Sequence, residues 1–218
     1  MIGARTLEAI ATMPIVTKQN LGVLLGVSPA TLDYRVQRLQ ATGDLLRLRS
    51  GLYAPTVAWH TAQSSPEQAR QYLEYLSGIV RAPSYLSLEY VLEKEGMILE
   101  SPFALTCITT KTPRMYVTPL GRFVYRSIRS DLFTGYGLDA YRGLEVRIAS
   151  PAKALFDMLY LRPFSTPSVM RAYLLETGRL NWDALHPSEK KRLVATIRTS
   201  GVPKMKRILS ILTAEGIV

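Results

Sequence analysis

Between Thr17 and Tyr53 the sequence spells out a helix, a tight turn, a second helix and a short ribbon, an order that leaves the chain little freedom in how it packs. The first block, Thr17-Lys18-Gln19-Asn20-Leu21-Gly22-Val23-Leu24-Leu25, reads as a short helix stopped at Gly26-Val27-Ser28. Glycine supplies the left-handed conformation on which many helices end. A second helix is predicted from Pro29 to about Leu39, with Ser28 as N-cap, its hydroxyl accepting from a free backbone N–H, and Pro29 at the first helical position. Two helices joined by a short Gly-containing turn form a helix-turn-helix, and a ribbon directly after it makes a winged helix. The partner class implied is double-stranded DNA.

The second helix can be sorted by face. Leu32, Val36 and Leu39 recur at i, i+4 and i+7, so they form the stripe that packs on Leu21, Leu24 and Leu25. The opposite face carries Ala30, Tyr34 and Gln37, with Thr31 and Arg38 at its shoulder. Tyr34, Gln37 and Arg38 offer hydrogen bonds to base edges, and the Thr31 methyl can meet a thymine methyl. Arg35 lies nearer the buried stripe and is expected, with Lys18, on phosphates. The ribbon runs from Leu45 to Arg49, turns at Ser50-Gly51 and returns through Leu52, Tyr53 and Ala54. Gly51 suits the positive φ of a tight hairpin. Arg47 and Arg49 alternate with Leu46 and Leu48, so both guanidiniums are expected on one face, against phosphate or the minor groove.

Charge and composition narrow the rest. The net charge is +10, yet residues 1–80 hold seven basic and five acidic side chains, which leaves a net +8 on residues 81–218. A basic excess outside the DNA-reading part implies further DNA contact or an acidic partner. Lys190, Lys191, Arg192, Arg198, Lys204, Lys206 and Arg207 gather in the last 29 residues. They form a candidate secondary basic surface: solvated helix faces, additional DNA-backbone contacts, or a surface toward a partner protein. No apolar run reaches the roughly 18–20 residues that span a bilayer, and the start lacks the order of a signal peptide. With Cys107 as its one cysteine, a reducing cytoplasm is the expected location.

Thr61–Gln68, with Ser64-Ser65-Pro66, is the linker candidate, dividing a DNA-binding domain over 1–63 from a second domain over 64–218. Helical periodicity resumes over Glu67–Val80, and a further helix is expected from about Tyr85 to Glu95. Alternation follows at Phe103–Ile108, Arg114–Val117, Arg122–Ile128 and Leu144–Ile148, read as short antiparallel strands. Helix returns at Ser150–Tyr160, where Ala152, Leu155, Met158 and Leu159 line one stripe, and Lys153 and Asp157 form an i, i+4 pair worth a few tenths of a kcal/mol. Two or three more helices fill Ser168–Val218. The fold class expected is α+β: a winged helix-turn-helix, then antiparallel strands flanked by helices.

Enzyme chemistry finds no foothold in the pattern. The six aspartates include no Asp-x-Asp pair, and no phosphate loop of the Gly-x-x-x-x-Gly-Lys type occurs. Cys107, His60 and His186 lie in unrelated segments, too few for a metal site of about four ligands. A non-enzyme without metal or cofactor is expected.

Three patches, taken together, carry a family likeness. They are Arg49-Ser50-Gly51-Leu52-Tyr53, then Pro83-Ser84-Tyr85-Leu86-Ser87-Leu88-Glu89 with Gly96-Met97-Ile98, then Ala149-Ser150-Pro151-Ala152-Lys153-Ala154-Leu155-Phe156-Asp157-Met158-Leu159-Tyr160. In this order, over nearly the whole chain, the sequence resembles the AbiEi-type antitoxins of type IV (abortive-infection) toxin–antitoxin systems. The resemblance implies a repressor that binds inverted repeats upstream of its own operon. It also implies a C-terminal domain that counters a nucleotidyltransferase-like toxin. The alternative is a stand-alone winged-helix repressor whose second domain dimerises or binds a small ligand.

Overall fold

The structure is a computed structural model that describes residues 4–218. It opens with α1 (Ala4–Ala11) and β1 (Val16–Thr17), then α2 (Lys18–Leu25) and α3 (Pro29–Ala41). Thr17 caps α2, its hydroxyl accepting from the Asn20 N–H at 3.1 Å, and Gly26 ends α2 with φ +60°. Leu32, Val36 and Leu39 are buried as the spacing predicts, in a cluster with Ile10, Val16, Leu21, Leu45 and Tyr53; Leu24 and Leu25 pack against its margin. At about 1.5–3 kcal/mol for each buried side chain, that stripe sets the rotation of α3. One expectation fails: the Ser28 hydroxyl makes no capping bond and lies 3.2 Å from the Thr31 hydroxyl, while the Ser28 carbonyl accepts from the Leu32 N–H. The short polar side chains compete for one another. Pro29 has no N–H, the Thr31 N–H also closes on the Ser28 carbonyl at 3.0 Å, and among the described residues the Ala30 N–H is the first-turn donor left without a partner.

The hairpin β2 (Leu45–Arg49) and β3 (Leu52–Pro55) joins β1 in a three-stranded sheet of order β1-β3-β2, with Gly51 at φ +71° in its turn. It is not a free ribbon. Every residue of β3 is buried: Tyr53 faces the first cluster, while Leu52 and Ala54 belong to a second, larger one. Leu45 and Leu48 are divided in the same way. A bulge between Arg47 and Arg49 pairs Arg47 with Tyr53 but Arg49 with Leu52. Partners across an antiparallel ladder share a face, and neighbours along a strand do not. Arg47 and Arg49 therefore point to opposite sides, which corrects the expected common face.

Next come α4 (Thr56–Ala62) and α5 (Pro66–Val80). The segment read as a linker is mostly helical, Ser65 capping α5 by accepting from the Gln68 N–H at 3.1 Å. Ser-Pro marks helix starts as well as loops. Ala62 lies before this turn, yet it joins the larger cluster together with Leu48, Leu52 and Ala54. Two further contacts fasten the parts: the Tyr72 hydroxyl donates to the Pro14 carbonyl at 2.6 Å, and Trp59 stacks on Tyr72.

The remaining strands are β4 (Ser84–Leu86), β5 (Leu105–Thr109), β6 (Arg114–Thr118), β7 (Gly121–Ser127), β8 (Tyr136–Tyr141) and β9 (Leu144–Ala149), with α6 (Glu89–Lys94) after β4. They form one sheet of order β6-β7-β5-β4-β9-β8. The fold is α+β, as expected, but the sheet is mixed: β4 runs parallel to β9, and β5 to β7. The expected helix from Tyr85 is also replaced at its start, because Ser84–Leu86 is the strand that links both halves of the sheet. A short apolar run is ambiguous between helix and strand by periodicity alone, and alternation says nothing of a strand's neighbours.

Helices cover both faces. On one, the Tyr125 hydroxyl donates to the Ser77 carbonyl of α5 at 2.6 Å. On the other lies α7 (Pro151–Leu161), with α8 (Pro167–Ala172), α9 (Pro187–Ser200) and α10 (Pro203–Ala214) packed outside it. Ala152 through Leu159 are all buried, so α7 has no solvent face and the single stripe expected for it is too narrow. The Lys153–Asp157 pair thus lies in the core, at 2.5 Å and 3 % and 0 % exposed. Lys153 also donates to the Leu132 carbonyl at 2.8 Å, and Asp157 accepts from the Tyr85 and Ser87 hydroxyls at 2.9 and 2.8 Å. Burial pushes the Asp157 carboxyl up, with the ammonium and both hydroxyls pulling it back.

Candidate nucleic-acid interface

The outer face of α3 is open. Ala30, Thr31, Tyr34, Gln37 and Arg38 are exposed, Tyr34 by 61 %, while Arg35 is half-buried at the edge of the packed stripe. Among the described residues, the Tyr34, Gln37 and Arg38 side chains have no hydrogen-bond or ion-pair partner. Small residues stand at the start of α3, where the helix dipole is positive and the Ala30 N–H has no partner among the described residues. These side chains lie on one helix held from behind by an apolar cluster. A rigid element presents hydrogen-bonding groups at fixed spacing, which is what reading base edges requires.

The cations around this face differ in their freedom. Lys18 is engaged with Asp33 of α3 at 2.5 Å, the two side chains 41 % and 65 % exposed. An exposed pair of this kind holds weakly, by about 1 kcal/mol or less, so a phosphate can compete for the ammonium. Asp33 itself was missed in the sequence, since nothing but the helix crossing brings it to Lys18. Arg47 is exposed, and Ser50 lies exposed at the hairpin turn. Arg49 is spoken for: its Nε donates to the Val80 carbonyl at 2.9 Å and its Nη1 to the Ser50 carbonyl at 3.1 Å. Arg49 is still exposed as a residue, and these bonds tie the hairpin to α5 and restrict its reach toward the DNA backbone expected of it. No local pattern announces a bond across 31 residues.

The C-terminal cations also separate. Lys204 is not part of an open surface, since its ammonium donates to the carbonyls of Tyr160 and Arg162 and lies over the Tyr160 and Phe164 rings. Burial lowers its pKa. Lys191, Arg192, Arg198, Lys206 and Arg207 are exposed and Lys190 half-exposed. Arg192 pairs with Glu189 at 2.9 Å.

His60 lies on α4, His186 caps α9 by accepting from the Ser188 N–H at 3.3 Å, and Cys107 is buried in β5. Among the described residues, no three His, Cys, Asp or Glu side chains gather as a metal site, and no helix is long and apolar enough to cross a membrane. No protein-family model and no curated protein matches the chain.

Proposed function

We propose that the chain binds double-stranded DNA as a winged helix-turn-helix and represses its own operon. In this reading α3 enters the major groove of an inverted-repeat half-site. Thr31, Tyr34, Gln37 and Arg38 read bases, and Lys18, Arg35, Arg47 and Ser50 hold the backbone. The observation that carries the reading is the outer face of α3, polar, exposed and without internal partners, on a helix locked in rotation by Leu32, Val36 and Leu39. The likeness to AbiEi-type antitoxins adds a second task for the same protein, countering a nucleotidyltransferase-like toxin through residues 64–218.

Both tasks are tested on the full chain. Cutting at 63/64 would strip Leu48, Leu52, Ala54 and Ala62 from the larger cluster, so the separation is better made by substitution. The triple variant Tyr34→Ala, Gln37→Ala, Arg38→Ala is expected to lose binding to the DNA upstream of its own gene. It should still protect cells that express the neighbouring gene's toxin. Retained operator binding would refute the groove assignment. Failure of the wild-type chain to protect would leave a plain repressor.

A further inference from the structure

On the side of the molecule built by α9, Leu193 and Ile197 are buried and hold the helix down, while its opposite flank borders two open hollows. The first, about 490 Å³, has Val194, Ala195 and Ile217 among its apolar walls. Lys190, Lys191 and Arg198 stand round it. The second, about 560 Å³, adjoins it at Ala195 and extends over Tyr136, Gly137 and Ile148, with Arg192 beside it. Gly137 leaves this hollow roomy, since an added Cβ there would meet no atom within 4 Å.

No acidic side chain lines either hollow. The acids nearby in sequence are occupied elsewhere: Glu189 by Arg192 and the Ala152 N–H, Glu215 by Arg171. Lys190, Lys191 and Arg198 have no carboxylate partner among the described residues. The first hollow is thus an apolar floor inside a rim of cations without carboxylate partners, and the second extends that floor beside Arg192, which is paired with Glu189. Both lie in the part of the chain that holds the +8 excess.

We propose that this surface docks an acidic amphipathic helix of another protein, its leucine-like side chains on the floor and its carboxylates on Lys190, Lys191 and Arg198. Charge decides between the possible occupants. A second copy docked two-fold through this same patch would set the same cations against each other, and like charges in an interface are strongly unfavourable. Nucleic acid would satisfy the rim but leave Val194 and Ile217 uncovered, whereas a helix laid in a groove covers the floor and meets the rim at once. The proposal stands independently of the DNA-binding reading, because α9 and α3 share no residue.

The test is fluorescence anisotropy on the full chain with a labelled 18-residue peptide of leucine and glutamate. Leucine is placed at i, i+3, i+4 and i+7. Controls are a scrambled peptide of the same composition and an unlabelled DNA duplex as competitor. The ordered peptide is expected to bind at least tenfold more tightly than the scrambled one. Val194→Glu and Gly137→Leu should each weaken it severalfold, and Lys191→Ala with Arg198→Ala should flatten its salt dependence. Circular dichroism keeps a misfolded variant from being read as a binding defect. Equal binding of ordered and scrambled peptides, no binding, or indifference to Val194→Glu would overturn the proposal. So would duplex DNA displacing the peptide from wild type and from the α3 triple variant alike.

Discussion

Lys18–Asp33 and Lys153–Asp157 are the same chemical pair at the same distance, 2.5 Å. The first is 41 % and 65 % exposed, the second 3 % and 0 %. Water screens the first and leaves Lys18 free to exchange its partner for a phosphate. Packing removes that choice from the second, where the ammonium and carboxylate are held by Leu132, Tyr85 and Ser87 as well. One pair lies on an open surface and the other within the architecture, and burial makes the difference. Arg47 and Arg49 repeat the lesson two residues apart: a bulge leaves one free and ties the other to Val80.

The sharpest way to break this comparison is to run one double-mutant cycle on each pair. In the core, Lys153→Met or Asp157→Asn alone should cost about 3–5 kcal/mol, because each leaves a buried charge uncompensated. The double variant should cost less than the sum, by a coupling of up to about 3 kcal/mol. Urea denaturation reads both numbers. The same cycle with Lys18→Met and Asp33→Asn should give a coupling below about 1 kcal/mol that fades with salt. Additive behaviour in the core would end the distinction.

The surface predictions are smaller. Arg38→Ala should cost about 1–3 kcal/mol on the operator and relax preference at one base position. Arg47→Ala should weaken operator and random DNA alike and lower the salt slope by about one. Arg49→Ala should instead lower stability by about 1 kcal/mol, the loss of one part-buried hydrogen bond, with little change in the salt slope. Competition binding at two salt concentrations, with melting curves, separates the three. Last, burial pushes the Cys107 thiol up to about 12. A pKa raised by folding means stability is intact below the unfolded value near 8.5 and declines as pH rises from there toward 12. Cys107→Ala should lose the part of the slope between about pH 8.5 and 10. Above that, Tyr72, Tyr85, Tyr90 and Tyr125, also raised by burial, keep a decline of their own. A thiol reagent should label Cys107 only as the protein opens.

Much of this was open to the sequence wherever a local pattern carries its own physical cause. The stripe Leu32, Val36, Leu39 dictated the rotation of α3, hence which side chains face out, because helical periodicity is a property of the helix alone. Gly26 and Gly51 marked their turns for the same local reason. Tertiary structure decided what depends on residues far apart in the chain. It buried β3 between two cores, bent β2 so that Leu45 and Leu48 serve different clusters, and paired β4 with β9 in parallel. It also sank α7 on every side, so that an ordinary i, i+4 pair became a charged contact in the core. Periodicity reports that a face is apolar, but how many faces are covered, and by what, is set only when distant segments meet.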